Sequence, residues 1–159
     1  QLSDCCGGAL AALFHALSAD HLEYTSAQSL ERMAEAKVVA GLLPGAYYYL
    51  REKQLPPIAR MRSLGIAMAV SSDCNPGTSP LASLLLAMNM ASVLFRLTTV
   101  EVLRGVTKHA AQALGLSDRG ILKTGMRADL AVWRIDHPRQ LCAEYGVHRP
   151  VEVVSEGPG

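Results

Sequence analysis

Apolar positions along the chain fall into two kinds of run. Residues 38–43 and 66–71 are apolar at nearly every position. A half-solvated strand alternates; these runs do not, so they predict strands buried on both faces. Residues 16–19 predict a briefer strand that ends at Asp20-His21. Between the strands the period lengthens to three and four. Gly7-Gly8 leads into helix formers over residues 9–14. Leu30, Met33 and Ala34 share one face of a helix that Thr25 or Ser26 can cap. Pro44-Gly45 ends the second strand. Pro56-Pro57 opens a helix carrying Ile58, Met61 and Leu64, which Gly65 closes. Ser79-Pro80 is expected to start a long Leu/Met-rich helix reaching Phe95. Thr98 and Glu101 have capping-box spacing ahead of Leu103, Val106, Ala110 and Leu114, with Gly115 as the stop.

Strand and helix thus alternate three times with short connections, which predicts parallel βα units. Residues 128–135 and 151–155 differ. They read as lone strands among loops rich in Pro, Arg and Gly, and as pieces of a separate small sheet. The expected class is α/β, with parallel βα units over residues 1–117 and the separate strands over 118–159. There is no internal repeat.

Composition narrows the function classes. Half of the 159 residues are hydrophobic and 18% are charged, enough apolar material for a core. The formal net charge of +1 carries no footprint for nucleic acid or an acidic membrane. No apolar run approaches the roughly 18 residues of a membrane span, and residues 1–4 do not open a signal peptide. Cys5, Cys6, Cys74 and Cys142 make no Cys-x-x-Cys pair. That usage points to a reducing, cytoplasmic compartment. The chain opens on Gln1 rather than Met, so a longer reading frame is expected.

The segment from Ser71 to Pro80 concentrates the chemistry. A dry strand delivers Asp73, and a loop of turn residues follows. In a βα barrel the carboxyl ends of the strands form the active-site rim. A carboxylate there can ligate a metal and accept a proton from water. Asn75, Gly77 and Thr78 offer an amide, a bare backbone and a hydroxyl, a seat for an anion. The plainer alternative is that Asp73 and Asn75 only shape a turn, and spacing alone favours it. His21 also falls at a strand end, where a lone His is more often structural than catalytic. Asp20 should point to the other side of the strand, and Glu23 reads as solvated or a cap. Tyr47, Tyr48 and Tyr49 either line a pocket for a flat ring or pack a wall. His15, His109, His137 and His148 have no ligand spacing and read as surface or packing residues. Cys74 has no basic partner to activate it.

Taken together, Ser18-Ala19-Asp20-His21-Leu22-Glu23, Leu42-Leu43-Pro44-Gly45-Ala46 and Ser72-Asp73-Cys74-Asn75-Pro76-Gly77-Thr78-Ser79-Pro80 resemble the imidazolonepropionases of the amidohydrolase superfamily. Ala128-Asp129-Leu130-Ala131-Val132-Trp133 resembles a segment shared more widely by amidohydrolases, in the β-sandwich beside the barrel. The resemblance implies the C-terminal part of a metal-dependent (β/α)₈ TIM barrel, about its sixth to eighth strands, plus strands of that sandwich. It implies one divalent metal, Zn or Fe, of whose ligands this chain carries only Asp73. His21 would hydrogen-bond the attacking water or the scissile carbonyl. Gln1 would lie near the substrate ring, and Asn75, Gly77 and Thr78 would seat a propionate carboxylate. Asp73 would take a proton from water activated toward a pKa of ~7 and return it to the leaving nitrogen, giving N-formimidoyl-glutamate from imidazolonepropionate. Lys37, Gly41 and His109 depart from the family's usual residue types.

The implied partners are a small-molecule substrate, no nucleic acid and no membrane, with a homodimer as a candidate assembly. Two other readings compete. One is a different cyclic amidohydrolase or deaminase, a hydantoinase or dihydroorotase relative. The other is a non-catalytic half-barrel that needs a partner, because a catalytic zinc site normally has three protein ligands.

Overall fold

The computed structural model describes residues 2–155. Gln1 therefore lies outside the described residues. Three short strands, β1 (Ser18–Asp20), β2 (Val39–Leu42) and β3 (Met68–Val70), form a parallel sheet in that order. Ser18 pairs with Val39 and Ala40 with Met68, so the carboxyl ends of all three strands share one edge of the sheet. Every residue of β2 and β3 is buried, as their unbroken apolar runs require.

Helices cover the sheet. α1 (Gly7–Leu13) packs on α2 (Ala27–Ala36), whose N-cap Ser26 accepts a hydrogen bond from the Ser29 amide at 3.2 Å. Leu30 and Met33 turn inward from α2, and Lys37 ends it in the left-handed region. α4 (Ile58–Ser63) buries Ile58 and Met61. These helices, and the parallel units they connect, agree with the pattern of the sequence.

Three local expectations are corrected. Pro44 ends β2 but also begins a helix, α3 (Pro44–Tyr49), because proline pre-sets the first helical turn. The long helix α5 (Leu84–Leu94) starts at Ser83, not Ser79. Ser79 is buried and its hydroxyl donates to the Ser72 carbonyl at 2.6 Å, so residues 79–83 stay irregular. The helix after Thr98 is two: α6 (Thr99–Val106) and α7 (Lys108–Ala113), separated at Thr107. There the Thr107 hydroxyl donates back to the Leu103 carbonyl, a bond that competes with the helical ladder. The Thr98–Glu101 capping box is formed as the spacing requires.

The C-terminal strands β4 (Leu130–Trp133) and β5 (Pro150–Val154) pair antiparallel in a separate two-stranded sheet. Between them lies α8 (Gln140–Ala143), which the sequence pattern did not signal. α8 packs on α5, burying Leu141 and Cys142, and the buried Asn89 amide donates to the Cys142 and Ala143 carbonyls at 2.8 and 3.2 Å. No helix among the described residues is long and apolar enough to cross a membrane.

Candidate active site at the carboxyl ends of the strands

β1 ends at Asp20, and the His21 amide still donates to the Gly41 carbonyl at 2.9 Å. The chain then turns sharply, with His21 and Leu22 both at φ 69°. Two consecutive non-glycine residues in the left-handed region are uncommon, and such strain concentrates at sites that need a fixed side-chain direction. β3 ends at Val70, and three residues later Asp73 also adopts a positive φ, 50°.

His21 and Asp73 are thereby brought near each other at the same edge of the sheet, across β2. Burial lowers the His21 pKa below the usual histidine value, and the Asp73 carboxylate pulls it partly back. The net direction leaves a neutral imidazole at pH 7. Its Nδ1 is buried and makes no hydrogen bond among the described residues. Asp73 itself is half-buried.

The loop after Asp73 is tied to itself. The Asn75 amide donates to the Asp73 carbonyl at 2.7 Å, while Asn75 Oδ1 accepts from the Gly77 amide, the Thr78 amide and the Thr78 hydroxyl at 3.0, 2.8 and 3.2 Å. The Asn75 amide also donates from its backbone to Ser79 at 2.9 Å. Asn75, Gly77 and Thr78 are thus gathered in one Asx turn, and their polar groups are spent on one another.

Two glycines let this rim close. A Cβ on Gly45 would come within 2.7 Å of the Ser79 hydroxyl and 2.8 Å of Leu81. A Cβ on Gly41 would run into the Asp20 carboxylate, which lies over β2. The tyrosines separate. Tyr47 packs edge-on against Phe95 at 5.3 Å, whereas Tyr48 and Tyr49 are exposed beside a small apolar cleft with Gly45 and Leu81.

Glu23 corrects the expectation of a solvated residue. It is only 3% exposed and its Oε2 has no partner among the described residues. The turn at His21-Leu22 folds it inward, and burial pushes its carboxyl pKa up. Nothing in the local sequence signalled this, because the inward turn depends on two left-handed residues that are not glycine. His109 packs as expected, with Nδ1 3.1 Å from the Met68 carbonyl. The four cysteines are free.

Among the described residues, no group of three or more His, Cys, Asp or Glu is disposed to hold a metal ion. These residues do not form a metal site by themselves. What the chain does present is the Asp73 carboxylate and the neutral His21 imidazole at a barrel-type rim, with the Asp20 carboxylate also acting on His21, and the Asp73–His21 pair is suited to moving a proton and donating a hydrogen bond.

This arrangement has relatives. The amidohydrolase family model matches residues 10–157, and the chain belongs to the amidohydrolase family. Curated relatives named imidazolonepropionase match at high identity: that of Paracoccus denitrificans (strain Pd 1222) at 60% over 92% of this chain and 36% of its own length. That of Vibrio vulnificus (strain YJ016) matches at 54% over 99% of this chain and 39% of its own length. The chain thus spans under two fifths of these relatives. Among solved structures, atrazine chlorohydrolase from Arthrobacter aurescens TC1, complexed with zinc, superposes with a TM-score of 0.73. It is 22% identical and covers 89% of this chain and 36% of that one. E. coli guanine deaminase gives 0.64 at 20% identity, over 73% of this chain and 28% of that one. The fold is α/β: the C-terminal part of an amidohydrolase βα barrel with strands of a smaller sheet beside it.

Proposed function

We propose that the protein containing this chain is an imidazolonepropionase, a hydrolase that opens the cyclic amide of imidazolonepropionate to N-formimidoyl-glutamate in histidine breakdown. The observation that carries this reading is the convergence of Asp73 and His21 at one sheet edge, beside a loop built from Asn75, Gly77 and Thr78. The relatives' names and their 54–60% identity support it.

In this reading Asp73 takes the proton from the attacking water and delivers it to the leaving ring nitrogen. His21, neutral at pH 7, donates a hydrogen bond to the ring carbonyl as negative charge develops on it. The substrate's carboxylate is seated by the Asn75-Gly77-Thr78 turn, exchanging its internal hydrogen bonds for bonds to the acid group. Gln1, outside the described residues, contacts the substrate ring. One divalent metal, zinc or iron, is held by Asp73 together with ligands from outside this chain. When bound, it supplies Lewis-acid activation of the water. The division at residues 117/118, a cytoplasmic location and a homodimer belong to the same reading.

Turnover by the full-length protein tests it. Hydrolysis of imidazolonepropionate well above that of hydantoin or cytosine is expected. Preference for either of those would favour another cyclic amidohydrolase or deaminase. The 159-residue chain alone is expected to be inactive, since it provides one of the at least three ligands a catalytic metal needs.

A further inference from the structure

A second concave site lies at the opposite end of the sheet. A cavity of about 430 Å³ opens at the amino ends of β2 and β3, between α2, α6 and α7. Its floor is apolar, formed in part by the buried Met33, Val38, Ile66 and Met68. Its rim is cationic: Lys37, Arg62, Arg104 and Lys108 line it against a single carboxylate, Glu101.

That carboxylate is already committed. Arg62 grips Glu101 through two bonds of 2.6 and 3.0 Å, and Thr98 adds two more at 2.8 and 2.9 Å. The Arg62 guanidinium holds the Glu101 carboxyl at about 2, so it stays ionised. Lys37, Arg104 and Lys108 make no side-chain hydrogen bond or ion pair among the described residues. The field they set up reaches His109 on the same wall: burial lowers its pKa, the Met68 carbonyl pulls it partly back, and Lys108 and Arg104 add smaller downward pushes. Three unspent cations therefore face one pocket of ligand-binding size. Elsewhere the charges are mixed, and the whole chain carries only +1. A concentration of positive charge in a concave site, on a nearly neutral chain, fits a small ligand better than a nucleic acid.

We propose that the cleft between α2, α6 and α7 binds a small oxyanion of charge two or more, with Arg104 and Lys108 as its principal contacts. The Arg104 guanidinium offers the planar fork that matches phosphate or carboxylate, and Lys108 adds a point charge. The ligand's oxygens replace water on cations that have no side-chain partner among the described residues, which gives the site its selectivity for charge. The site is distinct from the Asp73 rim and does not depend on which reaction that rim performs.

Isothermal titration of the full-length protein tests this, with pyrophosphate in one arm and citrate in the other, at ionic strength held constant with chloride. Saturable one-to-one binding in either arm is expected, and the arm that binds more tightly identifies the ligand as phosphate- or carboxylate-bearing. The Arg104→Ala/Lys108→Ala pair, both exposed helical positions, should weaken binding by at least on the order of tenfold. The control pair Lys53→Ala/Arg139→Ala, away from the cleft, should leave it unchanged. Absence of saturable binding in both arms overturns the proposal, as does equal affinity in the Arg104/Lys108 variant.

Discussion

β2 and β5 are strands of four and five residues at opposite extremes of the same molecule. β2 reads Val-Ala-Gly-Leu and every residue is buried. β5 reads Pro-Val-Glu-Val-Val and four of its five residues are exposed. By intrinsic preference β5 is the better strand, being rich in β-branched residues, while β2 contains a glycine. What separates them is what covers them. β2 lies between two parallel neighbours under a layer of helices; among the described residues β5 has one partner, β4, and none of its own residues is buried. The C-terminal sheet is linked to the barrel units through α8, the Asn89 amide and Trp133 at the end of β4, while β5 itself stays exposed. The candidate site residues His21 and Asp73 follow strands of the first kind.

This contrast can be broken by substitution. Leu42→Ala in β2 removes a fully buried side chain and should cost about 2–5 kcal/mol in denaturant unfolding of the full-length protein. Val153→Ala in β5, exposed at 65%, should change stability by no more than about 0.5 kcal/mol. Comparable losses at the two positions would mean that β5 is covered by surface outside this chain.

A smaller effect is expected at the rim. Gly45→Ala forces the Ser79 hydroxyl and Leu81 to move, at a cost of about 1–3 kcal/mol. Turnover should fall with it, because Ser79 closes the loop that carries Asp73. Stability loss with unchanged kinetics would separate that loop from the chemistry.

Asn89→Ala sharpens the comparison from the other side. It leaves the buried Cys142 carbonyl and the more exposed Ala143 carbonyl without their donor, at a cost of about 1–2 kcal/mol. Hydrogen exchange should accelerate in residues 140–143 while β2 stays protected. Uniform acceleration would show the two regions unfold as one unit.

The smallest effect is in pH. The His21 pKa lies below its unfolded value of 6.5 in the folded chain, so the unfolded state takes up the proton first. His21 therefore costs nothing above pH 6.5 and destabilises progressively as pH falls below it. Glu23 has the opposite sign. Its folded pKa is raised above 4.5, so stability declines as pH rises from 4.5 through that raised value. Glu23→Gln should remove this decline and leave the His21 slope, as read from unfolding midpoints between pH 4 and 8.

Much of this was legible in the sequence, for identifiable reasons. Dry runs gave β2 and β3, and the placement of Asp73 just past one of them put it at a strand end. The capping box at Thr98–Glu101 formed because both partners are local. The misses depend on contacts far along the chain or on unusual backbone. Ser79 looks like a helix cap until its hydroxyl is seen to reach back to Ser72. Glu23 looks solvated until two left-handed residues turn it inward. The short α8 has no periodicity to detect and exists because Leu141 and Cys142 dock on α5.

The central claim is that Asp73 is the proton carrier of a hydrolytic centre, and Asp73→Asn in the full-length protein tests it most directly. The amide keeps the shape of the side chain but cannot accept the proton. Imidazolonepropionate turnover should drop by on the order of 10²–10⁴-fold with the unfolding midpoint near that of the parent. Turnover within a few-fold of the parent would contradict the account.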